Sequence, residues 1–226
     1  SRAKIWSTTG WLRGRLPTWV VRMRLWVELL DLVKIATYNV NGIKARLPRL
    51  LEWLDETKPD VACLQELKSS DETFPEVDIR NAGYGAIWHG QKGFNGVAIL
   101  ARGNDPVERL RGLPDDPEDL HSRYLEAEVD GVVIASIYLP NGNSGGEAGM
   151  DYKWRWMQRL NERAQRHLDA FTPFAILGDF NVCPTDADLT PGLLPPGDAL
   201  RHPTTRGHFR ALCHMGMTDC AIALGE

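Results

Sequence analysis

The chain has 226 residues, of which 43% are hydrophobic and 25% are charged, so its composition is that of an ordinary globular protein. These values exclude fibrous, collagen-like and broadly disordered chains, and the length indicates one large domain or, alternatively, two small ones. A formal net charge of −4 at pH 7 excludes a surface that is basic all round, although it allows a local basic rim.

Residues 1–32 differ in composition from everything that follows. They contain four tryptophans and six basic residues against two acidic ones, and their apolar residues show no clean period. The chain begins with Ser1 instead of Met, and a GTG codon for Val33 can also initiate translation. We therefore predict a domain over 33–226 and a non-native extension over 1–32; a membrane-surface or DNA-binding arm is the alternative for that extension.

A strand pattern begins abruptly at Val33 and covers 34–40. A helix near 45–56 follows, in which Pro48 fits only in the first turn. The apolar face of this helix is formed by leucines at i, i+3, i+4 and i+7 spacing, which are Leu47, Leu50, Leu51 and Leu54.

Short strands and two further helices fill the remainder of the chain. The predicted strands are 60–65, 85–89, 96–101, 123–129, 132–139 and 174–179, and the predicted helices are 151–169 and 206–215. Asp130-Gly131 predicts a hairpin turn, while a glycine-rich loop at 141–149 and a proline-rich loop at 184–203 precede the two helices. Hairpins mixed with strand–helix units predict an α/β fold, a four-layer α/β sandwich with two mixed β-sheets flanked by helices.

The four cysteines show neither a CxxC pair nor a zinc-site spacing. Cys63 lies inside an apolar run, which predicts a buried, reduced thiol and a cytoplasmic location. No apolar run approaches the roughly 20 residues that span a membrane, and arginines interrupt the N-terminal stretch that a signal peptide would need. We therefore expect neither membrane insertion nor secretion.

Four of the predicted strands are apolar along their length and then end in carboxylates, amides or a tyrosine. The residues at these ends are Asn39 and Asn41, Gln65 and Glu66, Tyr138 and Asn141, and Asp179 and Asn181. If the strand ends meet, burying these groups unpaired would cost several kcal/mol each. A hard cation relieves that cost, and ligation by carboxylate and amide oxygens suits Mg²⁺.

Each of these strand ends also has an ordinary interpretation. Asn-Gly after a strand is usually a turn, a single glutamate at a strand end is usually solvated, and a tyrosine there usually belongs to the core. Their coincidence at four strand ends favours a shared metal site.

Taken together, these segments resemble the exonuclease III family of apurinic/apyrimidinic endonucleases, within the endonuclease/exonuclease/phosphatase superfamily. The resemblance covers 33–226, and the Gly-Asp-Phe-Asn motif alone would indicate only the superfamily. The segments that carry it are Tyr-Asn-Val-Asn-Gly-Ile-Lys-Ala-Arg (38–46), Lys-Pro-Asp-Val-Ala-Cys-Leu-Gln-Glu (58–66), His-Gly-Gln-Lys-Gly-Phe-Asn-Gly-Val-Ala-Ile-Leu (89–100), Tyr-Leu-Pro-Asn-Gly (138–142) and Gly-Asp-Phe-Asn-Val-Cys-Pro-Thr-Asp-Ala-Asp (178–188).

The resemblance implies a role for each strand-end residue. Glu66 is expected to be the main metal ligand, Tyr138 to contact the scissile phosphate, Asp179 to handle a proton, and Asn181 to orient the transition state. The metal site implied in this way comprises Asn39, Asn41, Glu66, Asp179 and Asn181. Lys92 and Asn95 are expected near the DNA backbone, with a plain turn as an equal alternative.

The implied reaction is Mg²⁺-dependent phosphodiester hydrolysis, with Mn²⁺ as a substitute, by a monomer acting on duplex DNA at abasic sites and 3′ ends. Expected products are a 5′ phosphate and a free 3′ hydroxyl. Two alternatives remain: a phosphoesterase acting on a non-DNA phosphate ester, and a non-catalytic DNA-binding remnant.

The sequence also departs from the family pattern. The family continues to an Arg-Ile-Asp strand and a closing Ser-Asp-His, which do not occur here, so we expect a fold that is incomplete at the C-terminus and an impaired or inactive fragment. None of the six histidines stands in a matching context, and we interpret all of them as surface or structural. Leu67 replaces a small polar residue that often follows the glutamate.

Overall fold

The computed structural model describes residues 33–224 and, before them, only the backbone of two strands, Lys4–Ile5 (β1) and Trp19–Met23 (β2). The predicted extension over 1–32 therefore lies mostly outside the described residues.

Nine further strands and five α-helices follow in chain order. The strands are Val33–Asn39 (β3), Val61–Gln65 (β4), Tyr84–His89 (β5), Val97–Arg102 (β6), Val107–Arg111 (β7), Tyr124–Val129 (β8), Val132–Tyr138 (β9), Phe174–Asp179 (β10) and Thr218–Asp219 (β11). The helices are Ile43–Thr57 (α1), Glu76–Asn81 (α2), Glu147–Asp169 (α3), Pro203–His214 (α4) and Cys220–Leu224 (α5), with short 3₁₀ turns at Asp71–Thr73 and Asp186–Asp188.

The strands form two mixed sheets. One has the order β2-β3-β4-β6-β5, and the other has the order β11-β1-β10-β9-β8-β7. The central pairs β3–β4 and β9–β10 are parallel, so both members of each pair end at the same edge of their sheet. This arrangement brings the polar strand ends to one end of the molecule.

Three apolar layers lie between four layers of secondary structure. In β4, Val61 and Cys63 face the layer between the sheets, whereas Ala62 and Leu64 face the layer under α1. The second sheet alternates in the same way and packs its outer face on α3 and α4. The predicted four-layer α/β sandwich is confirmed. Its strands are apolar on both faces, so both faces of each sheet must be covered by other elements.

Most predicted elements are present with boundaries shifted by a few residues. Asp130 and Gly131 both have positive φ, 48° and 77°, and join Val129 to Val132 as the predicted hairpin requires. The predicted loop 141–149 is shorter than expected, because α3 begins at Glu147 directly after Gly146.

Some features of the fold differ from the sequence prediction. The edge strand β7 was not predicted, because its Val-Glu-Arg-Leu-Arg sequence is mostly exposed and has no apolar face to detect. The six-residue helix α2 was too short to show a period. Pro48 is the sixth residue of α1, beyond the first turn, so its expected position was wrong by a few residues.

A polar contact joins the two sheets directly behind the site end. The buried Gln65 side chain accepts from the Thr37 hydroxyl (3.1 Å) and donates to the Ser136 hydroxyl on the opposite sheet (3.3 Å). The Ser136 hydroxyl donates in turn to the carbonyl of Leu64 (3.2 Å). Since buried polar groups are costly unless paired, these bonds fix how the sheets face each other.

A buried carboxylate anchors α3 to the second sheet. The Glu126 carboxylate is 1% exposed and accepts from the Tyr124 hydroxyl (2.6 Å) and from Arg163 (2.6 and 3.0 Å), with the His167 ring 3.3 Å away. Burial raises the pKa of Glu126, but these hydrogen bonds outweigh burial and hold the pKa at about 2, below its ordinary 4.5. The resulting stabilisation is present above about pH 4.5 and is lost as the pH falls towards 2.

We predict that Glu126→Ala destabilises the fold by about 3–5 kcal/mol, because it leaves the Arg163 cation without its buried partner. Glu128→Ala is the matched control on the same strand. It removes only a half-exposed pair with Arg109 and should cost at most about 1 kcal/mol. Urea unfolding followed by circular dichroism measures both values, and equal losses would contradict the assignment of Glu126 as the anchor.

Candidate active site

The first half of the site follows β3 and β4. Their parallel register pairs Asn39 with Gln65, so Glu66 comes directly after the pair at the sheet edge. The chain then turns sharply, with positive φ at Asn41 (45°), Glu66 (55°) and Lys68 (50°). A hydrogen bond from the backbone N–H of Gly42 to the carbonyl of Glu66 (2.7 Å) holds these two turns against each other.

The second half of the site follows β9 and β10. Tyr138 pairs with Asp179 in the parallel register, and Asn181 continues from Asp179 with φ 45°. Gly178 precedes Asp179 because a Cβ at this position would lie 2.0 Å from the carbonyl oxygen of Ile137. The close approach of the two strands therefore requires glycine here.

The two halves meet at the side chain of Asn39. Its amide nitrogen donates to Glu66 Oε1 and to Asp179 Oδ2, both at 3.0 Å, and its oxygen accepts from the backbone N–H of Asn41 (3.1 Å). The structure thus brings Asn39, Glu66 and Asp179 together, although Asp179 belongs to the other sheet. In this orientation the Asn39 amide faces the two carboxylates with nitrogen and not with oxygen.

The two carboxylates have opposite pKa shifts. Burial raises the pKa of Glu66, but hydrogen bonds from Asn39, Lys68 and Tyr138 outweigh burial and lower the pKa overall. Burial also raises the pKa of Asp179, and here the nearby Glu66 charge adds to the increase while the Asn181 and Asn39 donors only partly offset it. Glu66 is therefore the favoured permanent anion, and Asp179 is the group better able to hold a proton.

Tyr138 keeps its proton in this environment. Burial raises the pKa of the Tyr138 phenol, and the charge of Glu66 raises it further. The guanidinium of Arg123 lies over the ring, 4.8 Å from its centroid, and donates to the Tyr138 carbonyl (3.1 Å). No ion pair joins Arg123 to a carboxylate within residues 33–224, so its charge is available to an anion at this edge.

Asn181 lies in a chain of amides beside Asp179. Its backbone N–H donates to Asp179 Oδ1 (3.0 Å), and its side-chain oxygen accepts from the Asn141 amide (3.1 Å). Its side-chain nitrogen donates to the carbonyl of Leu139 (2.8 Å). Beneath these loops, the Lys153 ammonium donates to the carbonyls of Asn141 (3.0 Å) and Asn181 (2.5 Å), and burial lowers the pKa of Lys153 to about 7.

Asn41 stands at the exposed rim. Its side-chain oxygen accepts from the Lys68 ammonium (2.5 Å), which also pairs with Glu66 Oε2 (2.8 Å). Asn41 thus reaches Glu66 through Lys68 and not directly.

The two residues expected near the DNA backbone have different environments. Lys92 is exposed on the 90–96 loop, whereas Asn95 is 4% exposed and donates to Gln91 (2.7 Å). The carbonyl of Asn95 accepts from the N–H of Lys68 (2.9 Å), which joins this loop to the turn that carries Glu66. As placed, Asn95 supports the loop and Lys92 is the side chain that faces solvent.

Backbone strain is concentrated at this end of the molecule. Of the nine described non-glycine residues with positive φ, five lie at the site, namely Asn41, Glu66, Lys68, Asn95 and Asn181. Such conformations are costly and persist where the surroundings enforce them, which is typical of functional sites.

The donor set fits a divalent cation in part. Glu66 and Asp179 supply two carboxylates, and Asn41 supplies an amide oxygen at the rim. Within residues 33–224 no group of three or more His, Cys, Asp or Glu side chains is placed to hold a metal, so any ion here needs amide oxygens or water as further ligands. All-oxygen ligation of this kind suits Mg²⁺, which commonly keeps several waters.

Three cations of this site were not predicted from the sequence. Lys68 and Arg123 stand beside their strands without a motif that distinguishes them from surface cations. Lys153 had a detectable signal, because it falls on the apolar face of α3 with Trp156, Met157 and Leu160. A lysine on such a face indicates a buried partner.

Comparison with known proteins agrees with this geometry. A profile described as the endonuclease/exonuclease/phosphatase family matches residues 36–216. The chain is 33% identical over 198 residues to exodeoxyribonuclease III of Haemophilus influenzae, covering 83% of this chain and 74% of that protein. The chain belongs to the exonuclease III family. It spans 62% and 61% of the length of two further curated relatives.

Two solved structures of the family are similar in fold. An AP endonuclease from Archaeoglobus fulgidus superimposes with a TM-score of 0.74 at 34% identity, covering 80% of this chain and 70% of that one. A 3′ phosphatase from Neisseria bound to a product DNA hairpin gives a TM-score of 0.73 at 32% identity with the same coverage.

We predict that Mg²⁺ raises the melting temperature of the protein through Glu66. At a hundredfold excess over Kd, binding stabilises the fold by about 2.7 kcal/mol, which corresponds to roughly 5–10 °C for a chain of this size. Glu66→Gln should abolish most of this rise, whereas Glu56→Gln, at an exposed position of α1, should keep it. An unchanged rise in Glu66→Gln, measured by calorimetry with and without EDTA, would exclude Glu66 as a ligand.

Proposed function

We propose that the protein is an exodeoxyribonuclease III-like DNA-repair nuclease that hydrolyses phosphodiester bonds at abasic sites and 3′ ends of duplex DNA with Mg²⁺. The observation that carries this proposal is the junction of Asn39, Glu66 and Asp179, with Tyr138 and Asn181 beside it. The names of the relatives, an exodeoxyribonuclease and an AP endonuclease among them, support the reaction class. Because the relatives are longer than this chain, the activity of the whole protein is part of the proposal.

Each residue of the site has a different role in phosphodiester hydrolysis. A divalent cation held at Glu66 would polarise the phosphate oxygens and neutralise developing charge. The phenol of Tyr138, kept protonated, and the amide of Asn181 stabilise a phosphorane oxyanion without repelling it. Asp179, with its raised pKa, exchanges a proton with the attacking water or the leaving oxygen.

The surroundings of the site favour an anionic polymer as substrate. Lys68, Lys92 and Arg123 supply positive charge around the carboxylates, although the chain as a whole is acidic. The described helices include none long and apolar enough to cross a membrane. We further propose a cytoplasmic location, supported by the free thiols of Cys63, Cys183 and Cys213. That the protein acts as a monomer is a separate part of the proposal.

The first experiment uses a duplex oligonucleotide with one abasic site, with Mg²⁺ and then with EDTA. It is run on the 226-residue chain and, in parallel, on the complete product of its gene. We expect metal-dependent incision by the complete gene product, in which Asp179→Asn should lower kcat by about 10²–10⁴-fold because it removes the proton-exchanging group. Asp55→Asn, at an exposed position of α1, is the matched control and should cut like the wild type.

The other outcomes decide against the proposal. Tight binding of the duplex without cleavage by the complete gene product indicates a DNA-binding remnant. Hydrolysis of p-nitrophenyl phosphate or an inositol phosphate, with no cleavage of DNA, indicates a phosphoesterase with a small substrate.

We predict that Lys92→Ala weakens duplex binding and lowers the slope of log K against log salt by about 0.9, the value for one phosphate contact. Lys58→Ala is the control, because Lys58 is exposed and precedes β4 at the end of the sheet opposite Glu66. Asn95→Ala should instead lower thermal stability, since it removes the bond to Gln91 inside the loop. Fluorescence anisotropy at several salt concentrations measures the slopes, and identical slopes for the two lysine variants would reject this role for Lys92.

A further inference from the structure

We infer that Lys153 is a positioning residue of the site, whose buried ammonium sets the spacing of the two loops that carry Asn141 and Asn181. The inference rests on the proposed function and extends it to a side chain that lies beneath the reacting groups. Lys153 stands on α3, outside the strand ends that carry the other site residues.

The placement of Lys153 is unusual for a lysine. It is 0% exposed, and its stem runs under Gly142, where a Cβ would lie 2.7 Å from Lys153 Cδ and 3.0 Å from Ala199 Cβ. Glycine at 142, with φ +88°, therefore allows the loop to lie directly on the lysine. A buried cation is costly unless it is paired and hydrogen-bonded, so its contacts should be specific.

The two contacts of the ammonium connect two loops. It donates to the carbonyl of Asn141, after β9, and to the carbonyl of Asn181, after β10. The side chains of Asn141 and Asn181 are also joined by their own bond of 3.1 Å. The two loops are thus linked both through the ammonium and directly, and Asn181, whose backbone is left-handed, takes part in both links.

This arrangement fixes the direction of two donors beside the reacting groups. The backbone N–H of Asn181 donates to Asp179 Oδ1, and its side-chain nitrogen donates to the carbonyl of Leu139. The positive charge of Lys153 also interacts favourably with Asp179 and Asp198, which lie nearby. Lys153 bonds to the backbone carbonyl of Asn181 and not to its side-chain amide, so its effect on the reaction passes through the placement of Asn181 and Asp179.

The test compares Lys153→Met and Lys153→Arg with Arg155→Met, which removes an exposed cation from the same helix. On the abasic duplex, Lys153→Met should lower kcat by about 10- to 100-fold with KM changed less than about threefold, since a small misplacement of a catalytic group has an effect of this size. Lys153→Arg should recover at least about half of the loss on a logarithmic scale, and Arg155→Met should equal the wild type. A loss confined to KM, or no loss, overturns the inference.

A second measurement does not depend on catalysis. Backbone hydrogen exchange at Asn181 should become at least about tenfold faster in Lys153→Met, while Val133, whose N–H is bonded to the Pro173 carbonyl, should change less than about twofold. Equal acceleration at both amides shows a merely structural role and overturns the inference, as does unchanged exchange at Asn181. If the complete gene product does not cleave DNA, the proposed function fails, and the exchange data still decide the role of Lys153. Should Lys153→Met fail to fold, the same two measurements on Lys153→Arg against Arg155→Met decide it.

Discussion

A single side-chain amide, that of Asn39, holds two carboxylates together across the gap between the sheets. Glu66 and Asp179 repel each other, and the repulsion contributes to the raised pKa of Asp179. A neutral donor is suited to this position because it binds both anions without cancelling their charge. Asn39 therefore joins the two carboxylates without neutralising either of them.

The apolar parts of the molecule hold the backbone behind this contact. Three hydrophobic layers cover both faces of both sheets and extend up to the residues that precede the site. Five of the nine described left-handed non-glycine residues, and the buried ammonium of Lys153, lie at the end of the molecule that carries the site. Strained and polar groups persist at such a position because the packed strands behind them over-determine the backbone.

The sequence predicted the convergence of the strand ends for a reason that can be stated. Apolar runs on both faces require two covered sheets, and parallel neighbours necessarily end at the same edge, so Asn39 and Glu66 had to meet, as did Tyr138 and Asp179. The orientation of the Asn39 amide could not be predicted, since it depends on one hydrogen bond from Asn41. The burial of Asn95 could not be predicted either, because Gly-Phe-Asn-Gly specifies a turn but not whether the asparagine side chain faces the protein or the solvent.

Cations were the least predictable part of the site. Lysines and arginines are usually solvated, and sequence alone does not show which of them a loop covers. Lys153 is the exception, because the helical period places it among apolar residues. The edge strand β7 was missed for the complementary reason that an exposed strand does not need an apolar face.

The hydrogen bonds that link Gln65, Ser136 and the Leu64 carbonyl fix how the two sheets face each other, and this limits which substitutions the fold can accept. Glu66 follows a strand of one sheet and Asp179 ends a strand of the other, so the distance between their carboxylates depends on how the two sheets are placed relative to each other. A slip of one sheet by one residue along its strands would displace one of the carboxylates by about 3.3 Å. Aliphatic side chains of the middle layer, such as Ile35, Ile99 and Leu177, act as spacers that set this placement. Enlarging one of them would alter the distance between the two carboxylates without touching a polar atom. The central layer should therefore accept fewer changes of volume over evolutionary time than the two layers beneath the helices.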